Sequence, residues 1–458
     1  MDRGLGDGIE RDYWSGLAIT PNSTAAFPSG QYAIDLAASM WGTCALLDNQ
    51  SVSCWTYQET PREGRVLGGD ASVVGLHSGL NRVCASLTNQ SNACFGPHVY
   101  DSQVEWYDAP VSAVSSGYDH TCLVLMDGSV ACRGSNEYGQ LGDGTWSDRD
   151  EFTPVQGLPV NNPVVAVSTS SSNTCAVVST GDVHCWGHRG VVADGTHFVD
   201  SYAEPVKFDI HPSLTNITAV SEDLGSYCAV TEFGELACWG YNQDGAIGDG
   251  TDEPRSLDLY VHDADDFGGK VVQVGMAIVG RTCVVIDDGS LWCWGGDYNT
   301  YEPTRMHNFG SSRPVISMAQ YNGGVCVVEA TGHVACWGDG TYGTIGNNRY
   351  DYAENPTRAL YFGPDKKAVK VESSRASVCA QTEAGEVWCW GENAYGMLGV
   401  GSDEYTESTP MKVEFPGENV HTVDLVAAGD GYCAHLSDGS VYCWGSNLYG
   451  RLARGLNT

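Results

Sequence analysis

The residues best placed to do chemistry are 18 cysteines, which fall into nine pairs, each pair enclosing nine residues. The pairs are Cys44/Cys54, Cys84/Cys94, Cys122/Cys132, Cys175/Cys185, Cys228/Cys238, Cys283/Cys293, Cys326/Cys336, Cys379/Cys389 and Cys433/Cys443. Thiolates bind zinc or oxidise in pairs, and zinc sites use closer spacings such as C-x₂₋₄-C. Each pair here brackets two apolar runs joined by a turn, as in Cys122-Leu-Val-Leu-Met-Asp-Gly-Ser-Val-Ala-Cys132. Seven of the nine units place Gly six residues after the first Cys: Gly128, Gly181, Gly234, Gly289, Gly332, Gly385 and Gly439. A three-residue hairpin loop, a type I turn followed by a left-handed Gly, needs Gly at that position. With that loop the two cysteines face each other, at about the separation a disulfide accepts. Nine disulfides internal to hairpins are therefore expected. Reduced thiols and zinc thiolates are the competing states. Each bridge stabilises by about 2–3 kcal/mol in the chain-entropy account, and the set calls for an oxidising compartment.

Other candidates are weaker. His184 and His188 flank Cys185-Trp-Gly, a spacing that would gather zinc ligands on a helix but not at a strand end. Asp263, Asp265 and Asp266 form an acidic loop, read as solvated. The Gly-Asp-Gly-Thr loops suggest bound calcium or glycan as a secondary possibility, although Asp-Gly is an ordinary turn former. Nucleophile-elbow, Walker and His-Glu-x-x-His motifs are absent, so no catalytic residue, metal ligand or cofactor is assigned. Four glycosylation acceptors occur, at Asn22, Asn49, Asn89 and Asn216. Asn49 and Asn89 lie at the hairpin tips of the two units that lack the turn Gly.

The elements that would carry these residues repeat. Successive first cysteines are 40, 38, 53, 53, 55, 43, 53 and 54 residues apart, a period typical of a propeller or a solenoid. Each unit opens with a β-like run such as Val164–Ser168. The cysteine hairpin follows, then in most units Trp-Gly, and most units close on a proline-containing segment. The three short units, those of Cys44, Cys84 and Cys283, lack the Leu-Gly-Asp-Gly-Thr type of loop seen at Leu141–Thr145. The pattern has no helical period, so the chain is read as all-β. The Trp after the second Cys faces away from that Cys and is expected to pack between neighbouring units.

Composition narrows the function classes. Against 57 Asp and Glu stand 23 Lys and Arg, a formal charge of −34. Nucleic acid and anionic lipid would be repelled, and no apolar run is long enough for a membrane-spanning helix. The charged, Gly-rich start, MDRGLGDGIERDYW, does not resemble a signal peptide. Given the cysteines, a removed leader or a longer precursor is expected.

The Cys122–Cys132 string followed by Gly134-Ser-Asn-Glu-Tyr-Gly-Gln-Leu-Gly-Asp-Gly-Thr145 resembles the repeat of the regulator of chromosome condensation family, and the likeness runs along the whole chain. The resemblance implies a β-propeller of four-stranded blades. Nine hairpins lead to an expected nine-bladed ring over residues 1–458. Its alternative is a seven-bladed ring plus two extra units, those of Cys44 and Cys84. The segment 1–30 would complete the last blade, formed by 420–458. The founding member's chromatin binding and nucleotide exchange do not carry over to an acidic, disulfide-rich chain. The expected function is a non-catalytic extracellular structural or adhesive propeller capable of self-assembly, with itself or other extracellular proteins or glycans as partners. A secreted inhibitor or lectin-like propeller is the alternative.

Overall fold

In the computed structural model the described residues are 22–23, 31–38, 42–56, 73–78, 83–87, 92–95, 105–107, 111–116, 120–169, 172–188, 201–207, 217–223, 226–242, 244–253, 255–277, 280–296, 300–306, 309–360, 362–363, 366–416, 420–427 and 431–446. The chain divides into two compact units, Met1–Asp108 with Ile316–Thr458, and Ala109–Val315.

Among the described residues, all regular structure but one short helix is antiparallel sheet. The Cys122 repeat shows the pattern. Val111–Ser116 pairs with His120–Leu125, which pairs with Val130–Gly134, which pairs with Arg149–Pro154. The cysteine hairpin is thus the central strand pair. In all nine hairpins the two cysteines are direct register partners.

The turn is the three-residue loop expected. The Leu125 N–H donates to the Ser129 carbonyl and the Gly128 N–H to the Leu125 carbonyl, both at 2.8 Å. The seven turn glycines have φ between +73° and +87°, where a side chain is disfavoured. Gln50 takes the same place in the Cys44 repeat, with φ +65°.

The expectation of nine four-stranded blades is corrected. Eight sheets of this all-β propeller have four strands. The sheet of Ala33–Ala38, Gly42–Leu47 and Val52–Thr56 has three among the described residues. The division into two units likewise gives no support to seven blades plus two extras, because the Cys44 and Cys84 repeats belong to one unit with the last three hairpins. The outer strands also differ in length among the described residues. Repeats with the long loop have outer strands of six to eight residues: Arg149–Pro154, Ser201–Lys207, Arg255–His262, Ala353–Arg358 and Thr406–Lys412. The loopless Cys84 and Cys283 repeats have three (Glu105–Tyr107) and two (Thr304–Arg305).

Asn22–Ser23 pairs antiparallel with Val441–Gly445, placing Asn22 opposite Cys443. The remainder of the N-terminal segment up to residue 30 lies outside the described residues.

Successive sheets are joined by burial and by hydrogen bonds from the turn. Cys122, Val124, Val130 and Leu141 of one repeat pack on Val164, Ala176, Val178 and Trp186 of the next. The first strand of a repeat begins by donating to the preceding turn carbonyl: Val164 to Gly128 at 2.8 Å, Val271 to Gly234, Val315 to Gly289 and Ala368 to Gly332 at 3.0 Å, and Thr422 to Gly385 at 2.8 Å. That contact explains why Gly is needed twice over. A Cβ at Gly128 would sit 2.1 Å from the Pro163 Cβ, and one at Gly289 2.0 Å from that of Pro314.

Candidate binding surface

Seven disulfides are described, Cys122–Cys132, Cys175–Cys185, Cys228–Cys238, Cys283–Cys293, Cys326–Cys336, Cys379–Cys389 and Cys433–Cys443, with Cα atoms 4.1–4.2 Å apart. Cys44 is also disulfide-bonded and lies opposite Cys54. The side chains of Cys54, Cys84 and Cys94 lie outside the described residues. The described bridges are fully enclosed, with each of their cysteines at most 3% exposed. They are staples rather than exchange sites.

The tryptophans pack between repeats. Trp186, Trp239, Trp294, Trp337, Trp390 and Trp444 are fully buried. The Trp186 indole N–H donates to the Gln140 carbonyl in the preceding repeat at 2.8 Å. Trp294 does the same to Ala246 at 2.9 Å, and Trp390 to Thr344 at 2.8 Å. The first Gly of each loop exists for this contact: a Cβ at Gly142 would lie 2.7 Å from the Trp186 Nε1, and one at Gly248 2.5 Å from that of Trp294.

The Gly-Asp-Gly-Thr loop is held by a clamp that sequence reading missed. Asn136 is buried; its Nδ2 donates to Asp143 Oδ1 and to the carbonyls of Thr145 and Ser147, while its Oδ1 accepts the Leu141 N–H. Asp143 Oδ1 accepts from the Thr145 N–H and hydroxyl, and Asp143 Oδ2 pairs with Arg149 Nε at 2.6 Å. Asn242, Asp249, Thr251 and Arg255 repeat the arrangement. Burial would raise the Asp143 and Asp249 carboxyls, but the Thr hydrogen bonds and the Arg partner outweigh it and hold both below the usual range. Both oxygens of each carboxylate are engaged, so a cation here would have to displace a guanidinium. The signal in the sequence was the Asn two or three residues after Trp-Gly or its equivalent.

The clamped loop then docks on the next repeat. The Gly144 N–H donates to the Ala203 carbonyl and Gly250 to Tyr301, both at 2.8 Å, and Asn348 to Ser408 at 2.9 Å. Asn348 occupies the position of Gly144 and keeps the left-handed backbone, φ +65°.

The other candidates disperse. His184 is buried and its imidazole makes no hydrogen bond among the described residues; burial lowers its pKa. His188 instead meets the edge of Tyr138, with centroids 4.5 Å apart. Asp263–Asp266 opens the four-residue helix Ala264–Phe267, in which the Asp266 carboxylate accepts the Asp263 N–H at 3.0 Å and Phe267 packs against Trp294. Among the described residues no three His, Cys, Asp or Glu side chains group as metal ligands. Asn49 is exposed at its hairpin tip. Asn22 lies in a strand whose side chains are outside the described residues, as are Asn89 and Asn216.

What stays outward is aromatic and acidic. Trp146 is 57% exposed, Tyr350 53% and Tyr352 50%, beside Asp148, Asp150 and Asp351. In the unit that contains it, Tyr342 meets Tyr405 of the following repeat edge-on at 6.4 Å. The Tyr405 hydroxyl donates to the buried Glu392 at 2.7 Å, and Arg375 approaches the same carboxylate at 3.7 Å. Arg375 (φ +51°) and Tyr395 (φ +59°) hold backbone conformations rare for side-chain-bearing residues. Burial, then Glu392, push the Tyr405 hydroxyl far above its ordinary pKa, so it stays a donor. A second exposed set lies on the first strands, whose register skips one residue at a bulge. The skipped residues Ile34, Val165, Val272, Val369 and Val423 are 41–60% exposed. Such surfaces offer stacking, hydrogen bonding and apolar contact.

The model of the regulator of chromosome condensation (RCC1) repeat matches residues 127–177 and 384–436, and a second model of that repeat matches 111–140. Over these residues the chain carries the regulator of chromosome condensation repeat. It is a disulfide-bonded form of that repeat. The ultraviolet-B receptor UVR8 of Arabidopsis thaliana is 26% identical over 334 residues, 70% of this chain and 73% of that protein. The mouse (Mus musculus) E3 ubiquitin-protein ligase HERC2 is 28% identical over 335 residues, 70% of this chain but 7% of the ligase. The mitochondrial RCC1 domain-containing protein RUG3 of Arabidopsis thaliana is 27% identical over 60% of this chain and 64% of its own length. Among solved structures, Prp20p from Saccharomyces cerevisiae superposes with a TM-score of 0.51 at 16% identity, covering 96% of this chain and 95% of that one. Human WBSCR16 gives 0.50 at 22%, covering 75% and 89%. At these identities the structures speak for the fold alone.

Proposed function

We propose that the chain is a non-catalytic extracellular module, structural or adhesive, that associates with further copies of itself or with other extracellular proteins or glycans. One observation carries the reading: the recurrent reactive groups are engaged internally. The described cysteine bridges are buried, the loop carboxylates Asp143 and Asp249 are paired with arginines, and the Trp186, Trp294 and Trp390 indoles bond the preceding repeat. Aromatic, aliphatic and acidic side chains remain outward for contact. The nine cysteine pairs favour an oxidising compartment. The ubiquitin ligation of HERC2 belongs to a protein of which the match spans 7%, and it gives no ground for an enzymatic reading here.

Light scattering with negative-stain imaging of the purified chain tests the reading. Ordered multimers or filaments that persist at physiological salt support self-association. A monodisperse monomer at every concentration would remove it.

Exposed Trp146, Tyr350 and Tyr352 beside carboxylates favour a second reading, an inhibitor or lectin-like propeller, because flat aromatic faces stack on sugars and on partner side chains. A glycan array showing saturable binding that is lost in Trp146→Ala would select it.

A further inference from the structure

The hairpin tips solve one structural problem with two different side chains. At Asp127-Gly128-Ser129 a single carboxylate oxygen accepts both the Ser129 N–H at 2.9 Å and its hydroxyl at 2.6 Å. Asp438-Gly439-Ser440 does the same at 2.9 and 2.5 Å. In the Cys44 repeat Asn49 stands in place of the Asp. Its Oδ1 accepts the Ser51 N–H at 3.0 Å and the Ser51 hydroxyl at 2.7 Å. The turn therefore uses one acceptor oxygen and leaves the second heteroatom of the side chain to solvent. In Asp that atom is a carboxylate oxygen. In Asn it is an amide nitrogen, and Asn49 is exposed.

The residues that build this turn also form an Asn-x-Ser acceptor. Ser at the third position is required twice, as donor to the turn and as the hydroxyl of the acceptor triplet. Gln50 between them accepts the left-handed backbone, φ +65°, that Gly adopts elsewhere. Its carbonyl still receives the Val73 N–H at 3.0 Å, so the joint to the following repeat is intact. The same triplet, Asn89-Gln90-Ser91, recurs at the equivalent position of the next repeat in the sequence.

We propose that Asn49 is an N-glycosylation site, in which the side-chain oxygen serves the hairpin turn and the side-chain nitrogen carries the sugar. The inference rests on the extracellular reading above. The donor is a lipid-pyrophosphate-linked oligosaccharide. A bond forms between Asn49 Nδ2 and the anomeric carbon, the carbon–oxygen bond to pyrophosphate breaks, Nδ2 releases one proton, and the lipid pyrophosphate leaves with the electron pair. The folded turn tolerates the product because the nitrogen makes no hydrogen bond among the described residues, whereas the oxygen keeps both of its own.

The test is secretion of the full chain from a eukaryotic host, followed by peptide N-glycosidase in heavy-oxygen water and peptide mass mapping. The expected result is a disulfide-closed secreted protein whose Asn49 peptide appears as heavy-oxygen-labelled Asp. Asn49→Asp, which keeps the turn acceptor and removes the nitrogen, is expected to lose one glycan mass with an unchanged melting temperature. A secreted, disulfide-closed protein with an unmodified Asn49 peptide overturns this inference and leaves the extracellular reading standing. A chain retained in the cell with free thiols overturns the extracellular reading, and this inference with it.

Discussion

The carbonyl of Gly439, at the tip of the last cysteine hairpin, accepts the N–H of Ala33, at the start of the first six-residue strand, at 3.0 Å. It is the contact that links the Gly128, Gly234, Gly289, Gly332 and Gly385 turns to their following repeats, made here between residues far apart in the sequence. Around it Cys433, Val441 and Cys443 share a buried cluster with Ala33, Ala45 and Leu47. The room for it depends on glycine, since a Cβ at Gly439 would lie 2.1 Å from the Tyr32 Cβ.

Turn glycines should therefore be intolerant, and the non-glycine turn at Gln50 should improve. Gly128→Val and Gly439→Val are each expected to cost about 2–4 kcal/mol, from a left-handed backbone and a collision with the next strand. Gln50→Gly is expected to gain about 0.5–1 kcal/mol by relieving its positive φ. Chemical unfolding of the three variants checks both signs; a neutral Gly439→Val would deny that the last turn seats on Ala33.

The loop clamp predicts an asymmetry within an ion pair. Asp143 is 2% exposed and Arg149 35%, so removing the arginine strands a buried carboxylate. Arg149→Met should cost about 1–3 kcal/mol. Its combination with Asp143→Asn should cost less than the sum of the two single changes. Because the guanidinium holds the carboxylate, adding calcium or chelating it should leave the melting temperature unchanged. A calcium-dependent rise would contradict the clamp.

Buried histidine sets a pH window. Burial lowers His120 from 6.5 to about 4, only partly offset by the Asn173 backbone carbonyl, which favours the charged ring. The unfolded chain binds a proton in that interval and the folded chain does not. Stability from this group is full above pH 6.5 and falls as pH drops toward about 4. At about 1.4 kcal/mol per unit the loss approaches about 3 kcal/mol. His184 and His262 are lowered by burial and act in the same direction. Unfolding measured across the window should show a flatter slope in His120→Gln; an unchanged slope would remove His120 from the account.

The hairpins were legible because their determinants are local. A counted spacing and Gly128 together fix the turn, and the turn fixes Cys122 opposite Cys132. The buried Trp was legible from strand alternation. The unequal lengths of the outer strands were not, because they follow loops whose side-chain bonds leave no local pattern. Asn136 and Arg149 look like ordinary loop residues until the fold brings them to Asp143. The skipped residues at Val165 and Val272 were hidden for a related reason, since a bulge changes register without changing composition. Arg375 and Tyr395 carry positive φ values that no residue-type rule anticipates.

The described cysteines form staples internal to their hairpins. Peptide mapping of the unreduced protein tests it most directly. The expected result is nine linked peptides, each joining a cysteine to the one ten positions later, Cys44 to Cys54 through Cys433 to Cys443, with no free thiol. Free thiols across the set, or bridges between different repeats, would contradict it.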